Sequence, residues 1–157
     1  MSELPPGDGP YRARLTVRSS DLDTNGHVRG AAYLEYADHA RWECVREAGV
    51  RFDELAAAEL GPVNLETTVR FHRELRGGEV LEISSEFSYG TGKTSRVVQE
   101  LRRASDGELV ATVESVSGML DLHHRRLVPD PAAIWRKFAT APELLGVSAE
   151  TPPAPEA

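Results

Sequence analysis

Residues 19–50 read SSDLDTNGHVRGAAYLEYADHARWECVREAGV. The first third is rich in turn-forming residues, and the remainder carries a helical repeat. Tyr33, Ala37, Ala40, Cys44 and Ala48 recur at helical spacing, while Glu35, Asp38, Arg46 and Glu47 fall off that stripe. Gly49 suits the left-handed residue that closes a helix. The stretch predicts a polar loop running into one long amphipathic helix.

Everything around it alternates with a period of two. Ala13, Leu15 and Val17 interleave with Arg12, Arg14, Thr16 and Arg18, as in a half-buried strand. After the helix, Val63, Leu65, Val69, Phe71 and Leu75 form one apolar face of a long strand, and Leu81, Ile83, Phe87 and Tyr89 form another. RGGE at 76–79, GTGK at 90–93 and SDGE at 105–108 read as turns, Thr94 to Ala104 as a strand, and Leu109 to Leu122 as a Val-rich final strand. PDPAAIWRKFA predicts a short helix opened by Pro131. The order strand, helix, four strands predicts an α+β domain: a five-stranded antiparallel meander wrapped around one long central helix, because sheet and helix each have an apolar side to hide.

At 157 residues the chain suits one domain. The expected boundaries are a tail over residues 1–10, the domain over 11–128, a short helix over 129–141 and a second, Pro-rich tail over 142–157. Lys and Arg total 18 against 25 Asp and Glu, a net charge of −7, which offers no overall field for nucleic acid or an anionic membrane surface. Cys44 is the single cysteine, so no intrachain disulfide and no multi-cysteine zinc site exist. No apolar run reaches the ~18 residues of a membrane span, and MSELPPGDGP has no signal-peptide pattern; the expected location is the cytoplasm.

The chemistry concentrates at Asp23, Asn25 and His27, just ahead of the helix. A helix N-terminus presents unpaired N–H groups and partial positive charge, and Gly30, Ala31 and Ala32 leave room to approach it. That arrangement suits a carbonyl oxygen that gains negative charge during a reaction. Asp21 reads as a turn cap. His123 and His124 lie near Asp121, but adjacent residues on a strand end point to opposite faces and make a poor chelate.

The strand, the segment SDLDTNGHVRGAAYLEYADHARWE and the strands that follow resemble the hotdog-fold thioesterases of the 4-hydroxybenzoyl-CoA thioesterase type over about residues 11–128. The Asp-x-Asn-x-His spacing is similar to that of the plant acyl-ACP thioesterases. The chain departs from the family at Arg29-Gly30, where members carry an Asn pair.

The resemblance implies hydrolysis of an acyl-CoA thioester, or of an acyl-ACP, without metal or cofactor. Asp23 would act as general base or as nucleophile. Asn25 would orient groups and His27 would polarise the site or move protons, its ordinary pKa being about 6.5. The thioester would sit against Gly30, Ala31 and Tyr33. Glu74, in His72-Arg73-Glu74, occupies the place of a glutamate implicated in the plant enzymes. The family also implies a homodimer, or a homotetramer, with sites at the subunit interface. A non-catalytic acyl-thioester binding module is the alternative. An enoyl-CoA hydratase is disfavoured, because those carry Asp-x-Asn-Pro-x-His, and here Gly26 follows Asn25 and His27 lies four residues after Asp23. Lys93, Arg96, Arg102 and Arg103 surround one hairpin and read as a solvated charged strand.

Overall fold

An 18-residue helix, α1 (Gly30–Glu47), forms the axis of the molecule; the computed structural model describes residues 10–148. Its buried residues are Ala32, Tyr33, Tyr36, Ala37, Ala40, Cys44 and Val45, so the stripe expected from the sequence is the face turned to the sheet. Three alanines there let the helix lie close to the strands. Gly49 ends it at φ +86, and a Cβ at that position would lie 1.9 Å from Thr140 Oγ1. The glycine therefore serves both the left-handed turn and the close passage of the chain's C-terminal part.

The strands are β1 (Tyr11–Thr16), β2 (Leu60–Phe71), β3 (Val80–Tyr89), β4 (Thr94–Arg103), β5 (Leu109–Asp121) and a two-residue β6 (Arg126–Leu127) on β5. Two further helices are α2 (Phe52–Ala57) and α3 (Pro131–Phe138). Segment α2 lies in a stretch that the sequence leaves unassigned. In α3, Pro131 opens the helix and the Asp130 side chain accepts from the Ala133 N–H, so the cap is built in the expected place.

All long pairings are antiparallel, but the order is β1-β3-β4-β5-β2. This corrects the expected meander. Only β3, β4 and β5 are joined as hairpins; β2 lies against β5 at the far edge, and residues 72–79 carry the chain back to β3, beside β1. The chain passes through α1 and α2 from one edge of the sheet, β1, to the other, β2, so sequence neighbours β2 and β3 are not neighbours in the sheet. Both β1 and β2 are edges.

The register of β2 shifts between Asn64 and Glu66, a bulge at Leu65. The extra residue moves Asn64 onto the helix-facing side, shared with Thr67, Val69 and Phe71, and leaves Leu65 52% exposed. The expected grouping of Val63 and Leu65 with Val69 and Phe71 fails for that reason.

Two clusters make the core. One joins Ala32, Tyr33, Tyr36 and Ala37 to Leu75, Leu81, Ile83, Leu101 and Val113. The other joins Cys44, Val45 and Val50 to Phe87, Val97, Met119, Trp135, Leu145 and Val147. The second corrects the tail expected from Pro142: Pro142–Leu145 is a 3-10 turn, Leu145 is fully buried, and the Tyr89 hydroxyl donates to its carbonyl at 2.7 Å. Apolar Leu144, Leu145 and Val147 outweigh the prolines here. Residues 1–9 and 149–157, which hold the rest of the expected tails, lie outside the described residues.

Candidate active site

The loop between β1 and α1 is organised by its two aspartates in opposite ways. Asp21 is buried, at 1% exposure. Its carboxylate accepts from the Tyr36 hydroxyl at 2.7 Å and from the Arg18 side chain at 3.3 Å, and its carbonyl accepts from the Arg29 N–H at 2.9 Å. The Tyr36 hydrogen bond, then those from Arg18, hold the Asp21 carboxyl below its usual range. Burial and the same carboxylate push the Tyr36 hydroxyl well up. Asp21 thus fastens the loop to α1.

Asp23 lies on the surface. Its Oδ1 accepts from the backbone N–H of Asn25 at 2.8 Å and of His27 at 3.1 Å. The Asp23 N–H donates to the His27 carbonyl, and Gly26 turns the chain at φ +76. One oxygen therefore builds the turn, while Oδ2 has no hydrogen bond among the described residues. Asn25 contributes through its backbone, its side chain being exposed.

The same loop reaches the segment after β2. The Val28 N–H donates to the Leu75 carbonyl at 3.0 Å, and His27 bridges to Arg76. That pairing sets His27 Nε2 2.7 Å from Glu74 Oε2. Arg76, and then His27, hold the Glu74 carboxyl below its ordinary value. Glu74 is half exposed, yet it is a partner of His27 rather than a lone surface charge.

These groups surround an open cleft of about 430 Å³ at the N-terminus of α1. Asp23, His27, Gly30, Tyr33 and Glu74, all anticipated, line it together; Val28, Phe71, His72 and Arg73 complete it. Asn25 and Ala31 are not among its walls. Phe71 meets Tyr33 edge to face with centroids 5.0 Å apart, and its 58% exposure at a strand end next to His72-Arg73-Glu74 is the signal that its pattern alone concealed. No side chain caps α1, whose N-cap is Arg29, and the N–H groups of Gly30 and Ala31 have no acceptor among the described residues. The cleft thus combines a carboxylate with a free oxygen, a His–Glu pair and the unpaired Gly30 N–H at the positive end of an 18-residue helix.

Elsewhere, Arg102 is paired with Glu100 at 2.6 Å and Arg103 with Asp106 at 2.8 Å, so half of the basic hairpin is already neutralised. His124 Nδ1 lies 2.8 Å from Asp121, and no group of three His, Cys, Asp or Glu side chains converges among the described residues.

A family model described as the thioesterase-like superfamily matches residues 17–143. The chain belongs to this superfamily. It is 26% identical to the chloroplastic acyl-acyl carrier protein thioesterase ATL3 of Arabidopsis thaliana over 128 residues, 82% of this chain and 67% of the relative. It is also 26% identical to the long-chain acyl-CoA thioesterase FadM of Escherichia coli over 100 residues, 64% of this chain and 75% of the relative. Among solved structures, Slr0204, a 1,4-dihydroxy-2-naphthoyl-CoA thioesterase from Synechocystis, superposes with a TM-score of 0.76 over 91% of this chain and all of its own, at 14% identity. SAV2348 of Staphylococcus aureus, solved with CoA, gives 0.71 over 90% of this chain and 94% of its own, at 23% identity. The curled antiparallel sheet around a long helix is the hotdog fold, and the protein is a hotdog-fold thioesterase.

Proposed function

We propose that the protein hydrolyses an acyl-CoA thioester to the free acid and CoA, with Asp23 as the reactive carboxylate. The observation that carries this is the meeting, in one cleft, of the Asp23 carboxylate and the uncapped N-terminus of α1. With Oδ1 pinned by two N–H groups, Oδ2 accepts a proton from water as the water oxygen bonds to the thioester carbon. Alternatively, Oδ2 attacks that carbon itself and water then cleaves the anhydride. The Gly30 N–H, at the wall of the cleft, holds the oxygen as it becomes negative. The C–S bond breaks, the thiolate leaves and takes a proton, and His27, steadied by Glu74, is placed to move it.

The test is release of free thiol from acyl-CoAs by the wild type and by Asp23→Asn, which keeps the Oδ1 that builds the turn. Loss of about a hundredfold or more in kcat with an unchanged melting temperature is expected. Full activity in the variant, or no thiol release by the wild type, sinks the proposal. An acyl carrier protein substrate is the second reading, favoured by the relative ATL3, and the acyl group on either carrier meets the same cleft.

We also infer that the working unit is a homodimer. The outer edge of β2 is unpaired among the described residues over a strand of 12 residues, an arrangement that folded proteins ordinarily cover. Leu65 and Phe71 on that strand are exposed, as is Leu34 on α1. A second copy seated there would roof the cleft at Phe71.

A further inference from the structure

The His27–Glu74 pair continues beyond Glu74. That residue divides its carboxylate: Oε2 faces His27 Nε2 at 2.7 Å, and Oε1 accepts from the Arg76 guanidinium at 3.0 Å. The Arg76 N–H in turn donates to Glu79 Oε1 at 2.9 Å. Glu79 Oε2 lies 3.5 Å from Arg103, whose guanidinium donates to both oxygens of Asp106 at 2.8 to 3.1 Å. A line of polar links thus runs from the cleft to the turn between β4 and β5, and from Glu74 onward the signs of charge alternate.

The far members of this line are firmly held. The Glu79 and Arg103 side chains are only 24% and 22% exposed, the Val17 N–H donates to the Glu79 carbonyl, and the Arg103 N–H donates to the Glu108 carbonyl. The near members, Glu74 and Arg76, stand half and two-thirds out in water. Exposed ion pairs of this kind contribute little to stability, so the use of the arrangement lies in geometry.

We propose that Arg76 is a positioning residue of the reaction, fixing the Glu74 carboxylate so that one of its oxygens stays on His27. This rests on the thioester reading above and deepens it by adding the residue that holds the partner of His27. Three observations support it. Each oxygen of Glu74 has its own partner, so the two together set the plane of the carboxylate; without Arg76 the exposed side chain regains its rotameric freedom and meets His27 for only part of the time. Arg76 is also tied to the site through its main chain, by the bridge to His27 that adjoins the bond from the Val28 N–H to the Leu75 carbonyl. Finally, the acid that could draw the guanidinium away, Glu79, is taken up by Arg103 and by the Arg76 N–H. In keeping with this, Arg76 comes ahead of His27 among the groups that hold the Glu74 carboxyl below its ordinary value, with Arg103 a smaller influence. A carboxylate held in this way keeps the imidazole in one orientation for the proton transfer that departure of the thiolate requires.

The experiment compares kcat and KM for wild type, Arg76→Gln, Glu74→Gln and the double variant, by free-thiol release from the acyl-CoA that the wild type cleaves fastest in a panel from butanoyl to octadecanoyl. Arg76→Gln is expected to lower kcat about fivefold, with KM within about twofold and the melting temperature within about 1 °C. The double variant is expected to match the roughly tenfold loss of Glu74→Gln and fall no further, because Arg76 acts only through Glu74. An unchanged kcat in Arg76→Gln, a loss confined to KM, or losses that multiply in the double variant overturn the inference. The 15N chemical shifts of the His27 ring, recorded at neutral pH for the same proteins, need no substrate and so separate this from failure of the hydrolase reading. If no thiol is released, displacement of those signals in Arg76→Gln, with the double variant matching Glu74→Gln, still supports the positioning role, and wild-type signals in Arg76→Gln overturn it.

Discussion

Replacing Tyr36 by Phe removes one hydroxyl and tests the buried anchor of the site. The hydroxyl donates at 2.7 Å to the Asp21 carboxylate, and the two residues are 4% and 1% exposed. A hydrogen bond to a charged group contributes about 1.5–3 kcal/mol. The Arg18 guanidinium remains after the change, but its side chain is 69% exposed and its bonds are long at 3.3 Å, so it compensates only in part. A loss near 1.5–2 kcal/mol is expected, or roughly 3–8 °C in melting temperature for a chain of this size.

The pH dependence is more discriminating. Asp21 has a lowered pKa in the folded state, so its contribution is present above its unfolded value of about 3.9 and disappears as pH falls through the lower, folded value. The Tyr36 hydroxyl is raised, so its contribution is present below its unfolded value of about 10 and is lost as pH climbs beyond that. Urea denaturation from pH 2 to 11 should therefore show a plateau of difference between wild type and Tyr36→Phe, closing at both ends. A difference under about 0.5 kcal/mol, or one that stays constant down to pH 2, refutes the argument.

Three more outcomes are expected. Glu74→Gln removes the charge beside His27 from a half-exposed position, so kcat for thiol release should fall about tenfold while the melting temperature stays within about 1 °C; an unchanged kcat makes Glu74 a surface residue. Gly146→Ala places a Cβ 2.3 Å from the Phe87 carbonyl at φ +70, so a loss of about 2 kcal/mol or more should appear in thermal unfolding, and wild-type stability contradicts the close approach. Leu65→Arg on the exposed bulge of β2 should convert a dimer to a monomer in light scattering, whereas a wild type that is already monomeric removes the dimer proposal.

Much of this molecule is written in local patterns. The α1 stripe is legible because Tyr33, Ala37, Ala40 and Cys44 repeat within one element, and period alone turns them inward. The division between Asp21 and Asp23 is half legible: turn chemistry marks both, and only the fold shows that Tyr36, 15 positions later, takes up the first. What escapes is non-local. The 2.7 Å contact of His27 with Glu74 depends on a bridge between distant segments. The hydrogen bond from the Arg41 guanidinium to Asn64 depends on a bulge, and one inserted residue reverses the faces of a strand without altering its composition. The strand order escapes for a similar reason, since the spacing between β2 and β3 does not reveal which edge of the sheet each will join.

The division of the core into two clusters also has a bearing on how the chain is made. Every residue of the cluster beneath the site lies at or before Val113, whereas the other cluster waits for Trp135, Leu145 and Val147. Chains emerge from the ribosome N-terminus first, at ~5–20 residues per second. For a second or more, then, the nascent protein already holds everything that packs under Asp23, His27 and the start of α1, while the far end of the same helix still lacks its cover. Val45, Val97 and Met119 lack that cover for the interval, which makes the distal half of the core the last part to close.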